Sequence, residues 1–120
     1  MTKEKIAVVG CGKLGAPLIA CFAQAGHPVL GIDISSKLIE KLKINQIDWR
    51  EPGLAEALGK YKDLITFDTT YNEKFDEVST SFVIVPTPSD ETGEYSLEFV
   101  LSAVEDIGKK LNKELLQERI

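Results

Sequence analysis

Ile6-Ala7-Val8-Val9-Gly10-Cys11-Gly12-Lys13-Leu14-Gly15 runs from a short apolar stretch straight into three glycines. A strand over Lys5–Val9 with this apolar run suits burial on both faces, as the strands of a parallel sheet require. Beyond it, Leu14, Leu18, Cys21, Phe22 and Ala25 recur at steps of three and four, which predicts a helix over Lys13–Ala25 with these side chains inward. Gly26 stops that helix. Pro17 falls early in it and costs one backbone bond if it lies beyond the first turn, so an irregular start is expected.

The spacing of the glycines is GxGxxG. Alone this pattern is weak, but here it closes a buried strand and opens a helix. Gly10 permits the tight turn, Gly12 lets the backbone approach a diphosphate, and Gly15 lets helix and strand pack closely. Lys13 and Leu14 lie in the same loop, at the positive end of the helix dipole, where an anion is favoured. Lys13 can support the phosphates or simply sit at the surface.

Val29–Ile34 reads as a second strand, and Asp33 near its end follows Gly15 at roughly the 20-residue spacing of a ribose-binding acid. A carboxylate there accepts hydrogen bonds from the adenosine ribose and repels a 2′-phosphate, so NAD is expected over NADP. The alternative is that Asp33 only caps the next helix. Lys37 is close enough to reach the adenosine side, and a solvated helix lysine is the equal alternative.

Strand-like and helix-like stretches continue to alternate. Ser36–Ile44 reads as a short helix with Leu38, Ile39 and Leu42 inward, and Glu51-Pro52-Gly53-Leu54 opens another with Pro52 at an early helical position. Leu64–Phe67 and Ser81–Val85 read as the third and fourth strands. A polar loop, Ser89–Tyr95, precedes Ser96, which caps a helix over Leu97–Leu111. Leu97, Val100, Leu101, Val104, Ile107 and Leu111 form its expected buried stripe. The alternation predicts an α/β fold with a parallel sheet, and with the glycine turn a three-layer Rossmann type. Residues 1–120 are expected to form one NAD-binding domain.

The chain of 120 residues is about one domain long. A formal net charge of −5 argues against a nucleic-acid binder or a protein held on an anionic membrane, both of which need a basic face. No apolar run approaches the roughly 20 residues of a membrane span. The start lacks the pattern of a signal peptide, so a cytoplasmic protein is expected. Cys11 and Cys21 form neither a CxxC pair nor a metal spacing and are expected as free, buried thiols. His27, beside the Gly26 turn, reads as structural. Trp49 reads as the anchor of the crossover to the third strand, and Asp90, Glu91 and Glu94 as a solvated loop.

These residues together resemble the UDP-glucose/GDP-mannose (nucleotide-sugar) 6-dehydrogenase family over almost the whole chain. The carriers are Val9–Leu18, then Ala25-Gly26-His27 and Gly31-Ile32-Asp33, then Glu51-Pro52-Gly53-Leu54 and Val85-Pro86-Thr87-Pro88. The glycines and Asp33 are shared with many dehydrogenases, whereas the last two segments are far more specific. The resemblance implies an N-terminal NAD-binding domain of an enzyme that oxidises the C6 alcohol of a nucleotide sugar to a carboxylate with two NAD. It implies a ribose role for Asp33 and a cofactor contact for Thr87 at the carboxyl edge of the sheet. The family often places a basic residue five positions after the ribose acid, where this chain has Leu38, with Lys37 one position earlier.

The resemblance also implies that the nucleophilic cysteine and the nucleotide-sugar site belong to a later part of the enzyme. Cys11, an x position of the glycine loop, and Cys21 are not substitutes for it. The 120 residues alone should bind NAD without turnover. The same resemblance implies the sheet order 3-2-1-4, ending before the last strands of the Rossmann unit. The fourth strand would then leave an open edge, to be paired with another copy in a homo-oligomer or shielded by the last helix. Three alternatives remain open at this point. They are a 3-hydroxyacid or 6-phosphogluconate type of dehydrogenase, a nucleotide-sensing domain without chemistry, and a methyltransferase. Glu51–Leu54 argues against the first, and Gly15 with the Pro-Thr-Pro loop argues against the last.

Overall fold

β1 (Lys5–Val9) stands in the middle of a parallel sheet of order β3-β2-β1-β4, the order expected, with β2 at Val29–Ile32, β3 at Ile65–Asp68 and β4 at Val78–Val83. The computed structural model describes residues 3–71 and 73–84 together with 101, 104, 105 and 107. The chain divides into two compact units, Met1–Ile84 and Val85–Ile120. The sheet lies in the first, with α1 (Gly15–Gln24) between β1 and β2, and α2 (Ser36–Lys43) and α3 (Leu54–Lys60) between β2 and β3. Val9 pairs with Ile32 on one side and Val83 on the other, so the loop after β1 emerges where the strand order reverses. That switch point at the carboxyl end of an open sheet is where such folds hold ligands.

The core is aliphatic. Val8, Ile19, Leu30 and Ile32 are almost wholly buried, and no polar or charged residue is buried among the described residues. Each such side chain contributes on the order of 1.5–3 kcal/mol of transfer free energy. Ile39 and Leu42 of α2 are buried and Leu38 half-buried, in accord with the sequence pattern. Trp49 packs against the core ahead of α3, the expected anchor of that crossover.

α1 departs from its expected face. Its buried residues are Gly15, Ala16, Ile19, Ala20 and Ala23. Leu14 and Cys21 are exposed, as is Ala25, and Leu18 and Phe22 are only half-buried. The periodic reading weighted the larger apolar residues. The helix instead turns Gly15, Ala16, Ile19, Ala20 and Ala23 inward, with glycine at the point of closest approach, where Gly15 meets the Gly10 carbonyl. Cys21 is therefore an exposed thiol and not a buried one. Regular helix begins at Gly15 and not at Lys13. Ala16 N–H donates to Gly12 O at 3.0 Å and Leu18 N–H to Leu14 O at 3.3 Å, but Pro17 between them has no N–H to donate to Lys13. At the other end Gly26, with φ 96°, closes the helix. Its N–H donates to Ala23 O, and His27 N–H donates to Phe22 O, which is a Schellman pair.

Glu51-Pro52-Gly53 leads into α3 as expected, but as a turn that ends where the helix begins at Leu54, so Pro52 is not at a helical position. Leu54 N–H donates to Glu51 O at 3.1 Å, and Gly53 has φ 81° and ψ −8°. Pro52 and Gly53 therefore occupy the two central positions of a type II turn, which favours Pro first and Gly second. β2 stops at Ile32, with Ile34 exposed, while β3 and β4 begin one and three residues from their expected starts. A 3₁₀ segment, Glu73–Glu77, precedes β4 and was not anticipated. In the second unit Leu101 and Val104 are helical as expected but exposed, which corrects their place in a buried stripe. A periodic apolar stripe is buried only where a second surface covers it. Thr87, Ser89–Tyr95 and Ser96 lie outside the described residues.

Candidate cofactor site

The glycine loop hangs from the carboxyl end of β1 and is tied on both sides. Gly10 N–H donates to Ile32 O of β2 at 2.7 Å, and Ile84 N–H, just past β4, donates to Val9 O at 2.6 Å. Gly10 has φ 103°, a conformation that side chains other than glycine's rarely adopt. Gly15 has a different reason to be glycine. A Cβ there would stand 2.7 Å from the Gly10 carbonyl carbon and closer still to its oxygen.

Gly12 has neither reason. Its φ is not positive, and a Cβ placed on it would meet nothing within 4 Å. Neither the backbone conformation nor packing within the described residues calls for glycine at this position. The space in front of it suits the diphosphate of a dinucleotide, which needs a bare backbone to lie against. The first N–H groups of a helix have no acceptor within it. None of the hydrogen bonds among the described residues engages the N–H of Gly12, Lys13 or Leu14. The Lys13 and Leu14 side chains are exposed at this end of α1.

Asp33 follows β2 directly and is half-buried beside the loop. One carboxylate oxygen accepts the Cys11 N–H at 2.9 Å and the other accepts the Ser35 N–H at 2.9 Å. The cap of α2 is Ser35, whose hydroxyl accepts the Leu38 N–H at 3.2 Å, so Asp33 is not the cap. The Asp-x-Ser-Ser run ahead of an amphipathic helix carried the signal for this assignment. Lys37 is exposed in the first turn of α2. Its charge helps a hydrogen bond from Lys41 hold the Asp48 carboxyl below its usual range. Asp68 repeats the arrangement at the end of β3. Its Oδ1 accepts the N–H groups of Thr69 and Thr70, and its backbone oxygen accepts the Asp33 N–H at 3.2 Å.

Cys11 is fully buried beneath the loop, with its Sγ 3.5 Å from Ile32 O. Burial, reinforced by the neighbouring Asp33 charge, pushes its thiol far above the usual range. A thiol in that state is no nucleophile. His27 is structural, as expected, with its Nδ1 2.9 Å from Glu4 O and its ring edge-on to Phe22. That contact to a carbonyl requires a proton on Nδ1. Thr87 and its Val-Pro-Thr-Pro segment lie outside the described residues.

A parallel sheet of this order, a glycine turn at the end of its central strand and a carboxylate at the end of the next define a Rossmann-type dinucleotide-binding fold. Residues 4–117 match the model of the UDP-glucose/GDP-mannose dehydrogenase family, NAD binding domain, and the chain belongs to that family as its NAD-binding domain. It is 34% identical over 108 residues to UDP-glucose 6-dehydrogenase AglM of Haloferax volcanii, covering 89% of this chain and 25% of that protein. It is 32% identical over 106 residues to GDP-mannose 6-dehydrogenase of Pseudomonas syringae pv. tomato, covering 87% of this chain and 24% of that protein. A ternary complex of GDP-mannose dehydrogenase from Pseudomonas aeruginosa superimposes with a TM-score of 0.81 at 28% identity, over 86% of this chain and 24% of that one. The chain thus spans about a quarter of the length of these relatives. The hydroxyacid-dehydrogenase and methyltransferase alternatives fall with this match.

Proposed function

We propose that residues 1–120 act as one NAD-binding domain within a nucleotide-sugar 6-dehydrogenase, in which a C6 alcohol is oxidised to a carboxylate with two NAD. The bound nicotinamide cofactor would supply the hydride acceptor. The residues of this chain would hold it. Gly10 shapes the turn, Gly12 leaves room for the diphosphate, and Gly15 brings the helix end close. Lys13 and Leu14 present the loop's backbone amides. Asp33 takes the adenosine ribose hydroxyls and disfavours a 2′-phosphate. Lys37 would border the adenosine, and Thr87 would meet the cofactor at the carboxyl edge.

The observation that carries this reading is the open space in front of Gly12, a glycine that nothing in its own packing requires. The burial of Cys11, whose thiol is held protonated, supports a chain that binds without reacting. Its nucleotide-sugar substrate would be met by residues beyond this quarter of the relatives' length. The product, an acidic nucleotide sugar, fits a role in polysaccharide synthesis in the cytoplasm. β4 is an edge strand among the described residues, which supports a homo-oligomer or further strands along that side.

The test mixes the purified chain with NAD and either UDP-glucose or GDP-mannose. Calorimetry should record NAD binding in the micromolar-to-millimolar range, and no NADH absorbance should develop. Absence of any NAD heat or NAD-induced protection of the loop would overturn the reading.

A further inference from the structure

Asp33 already spends part of its carboxylate before any nucleotide arrives. The β1–β2 ladder ends at the pair Val9 and Ile32. Beyond it, Gly10 N–H bonds the Ile32 backbone oxygen, and Cys11 N–H bonds the Asp33 side chain. The carboxylate thereby extends the strand pairing one residue into the glycine loop. Its other oxygen is fixed by Ser35 N–H at the mouth of α2. The buried Cys11 side chain rests near Ile32 O, on the strand that leads into Asp33.

We propose that Asp33 is a positioning residue for the glycine loop, clipping it through the Cys11 amide into the shape that receives a diphosphate. This role rests on the NAD site described above and adds to ribose binding. An ionised carboxylate has about four acceptor positions, so two backbone bonds leave capacity for two ribose hydroxyls. A charge-assisted bond at a half-buried site is about twice as strong as a neutral one. Pinned at both oxygens, the carboxylate cannot turn aside for a 2′-phosphate, so the clip also fixes the preference for NAD. The loop is then preorganised, and binding does not have to order it.

The test separates the clip from the ribose contact with 2′,3′-dideoxyadenosine 5′-diphosphate, which has the diphosphate but no ribose hydroxyls. Its affinity, and that of NAD, would be measured for the full chain and for Asp33→Ala and Asp33→Asn. Amide exchange at Cys11 would be followed without nucleotide, with Val8 and Leu30 as fold controls. Asp33→Ala is expected to weaken the dideoxy nucleotide and speed Cys11 exchange, each by about tenfold, the worth of a hydrogen bond to a charged group. Val8 and Leu30 should stay protected. Asp33→Asn keeps one oxygen for Cys11 and should recover part of both effects. If Asp33→Ala weakens NAD but leaves the dideoxy nucleotide and Cys11 exchange unchanged, Asp33 is a ribose ligand only and the proposal is overturned. If the unaltered chain binds neither nucleotide, the NAD reading fails, and Cys11 exchange in the two variants still decides the clip.

Discussion

Gly15 at the head of α1 lies directly over the Gly10 carbonyl, with a Cβ-sized gap missing between them. The first turn of the helix and the turn after β1 are thus in backbone contact. Gly15→Ala would gain up to about 1 kcal/mol of helix propensity. Overpacking of a tight contact costs typically about 1–3 kcal/mol, and here the obstructing atoms are backbone that cannot rotate away. The clash should win. Thermal or urea unfolding of this variant should show a net loss of stability, and weaker NAD binding should accompany it.

The two cysteines should behave oppositely towards an alkylating reagent. Cys21 is exposed, while Cys11 is buried with a thiol held in its protonated form by burial and by Asp33. Intact-mass spectrometry of the native chain should show one adduct, and the denatured chain two. Two adducts on the native chain at similar rates would contradict the buried loop.

Asp33→Ala removes both an acceptor for the ribose and the charge that repels a 2′-phosphate. NAD should weaken by about tenfold or more. NADP should weaken less, so the ratio of the two dissociation constants should approach one. An unchanged ratio would remove Asp33 from cofactor choice.

Ser35 caps α2 through its hydroxyl. Ser35→Ala should lower stability by about 1 kcal/mol. Its backbone N–H still meets Asp33, so NAD affinity should hold, as unfolding and titration of the same sample would show.

Much of this fold was legible because its signals are local. Val8 and Val9 end in Gly10, and Leu30 ends near Asp33, so strands, turns and their order follow from short apolar runs with glycine or acid at their ends. The face of α1 was not legible. Periodicity picks out Leu14 and Cys21, but the buried face carries Ala16, Ile19, Ala20 and Ala23, turned inward by the orientation in which Gly15 meets the Gly10 carbonyl. Pro52 and Gly53 are compatible with a helix start until the φ of Gly53 shows a turn. The Cys11–Asp33 bond had no sequence signature, since its donor is a backbone amide that every residue but proline possesses.

The central claim is that the glycine loop holds a dinucleotide, and Gly12 tests it most directly. Because a Cβ there meets nothing within the described residues, Gly12→Val should fold with a melting temperature close to that of the unaltered chain. Calorimetric titration with NAD should give binding for the unaltered chain and none detectable for Gly12→Val, because the side chain would fill the diphosphate's place. A folded Gly12→Val chain that binds NAD with unchanged affinity would contradict the account.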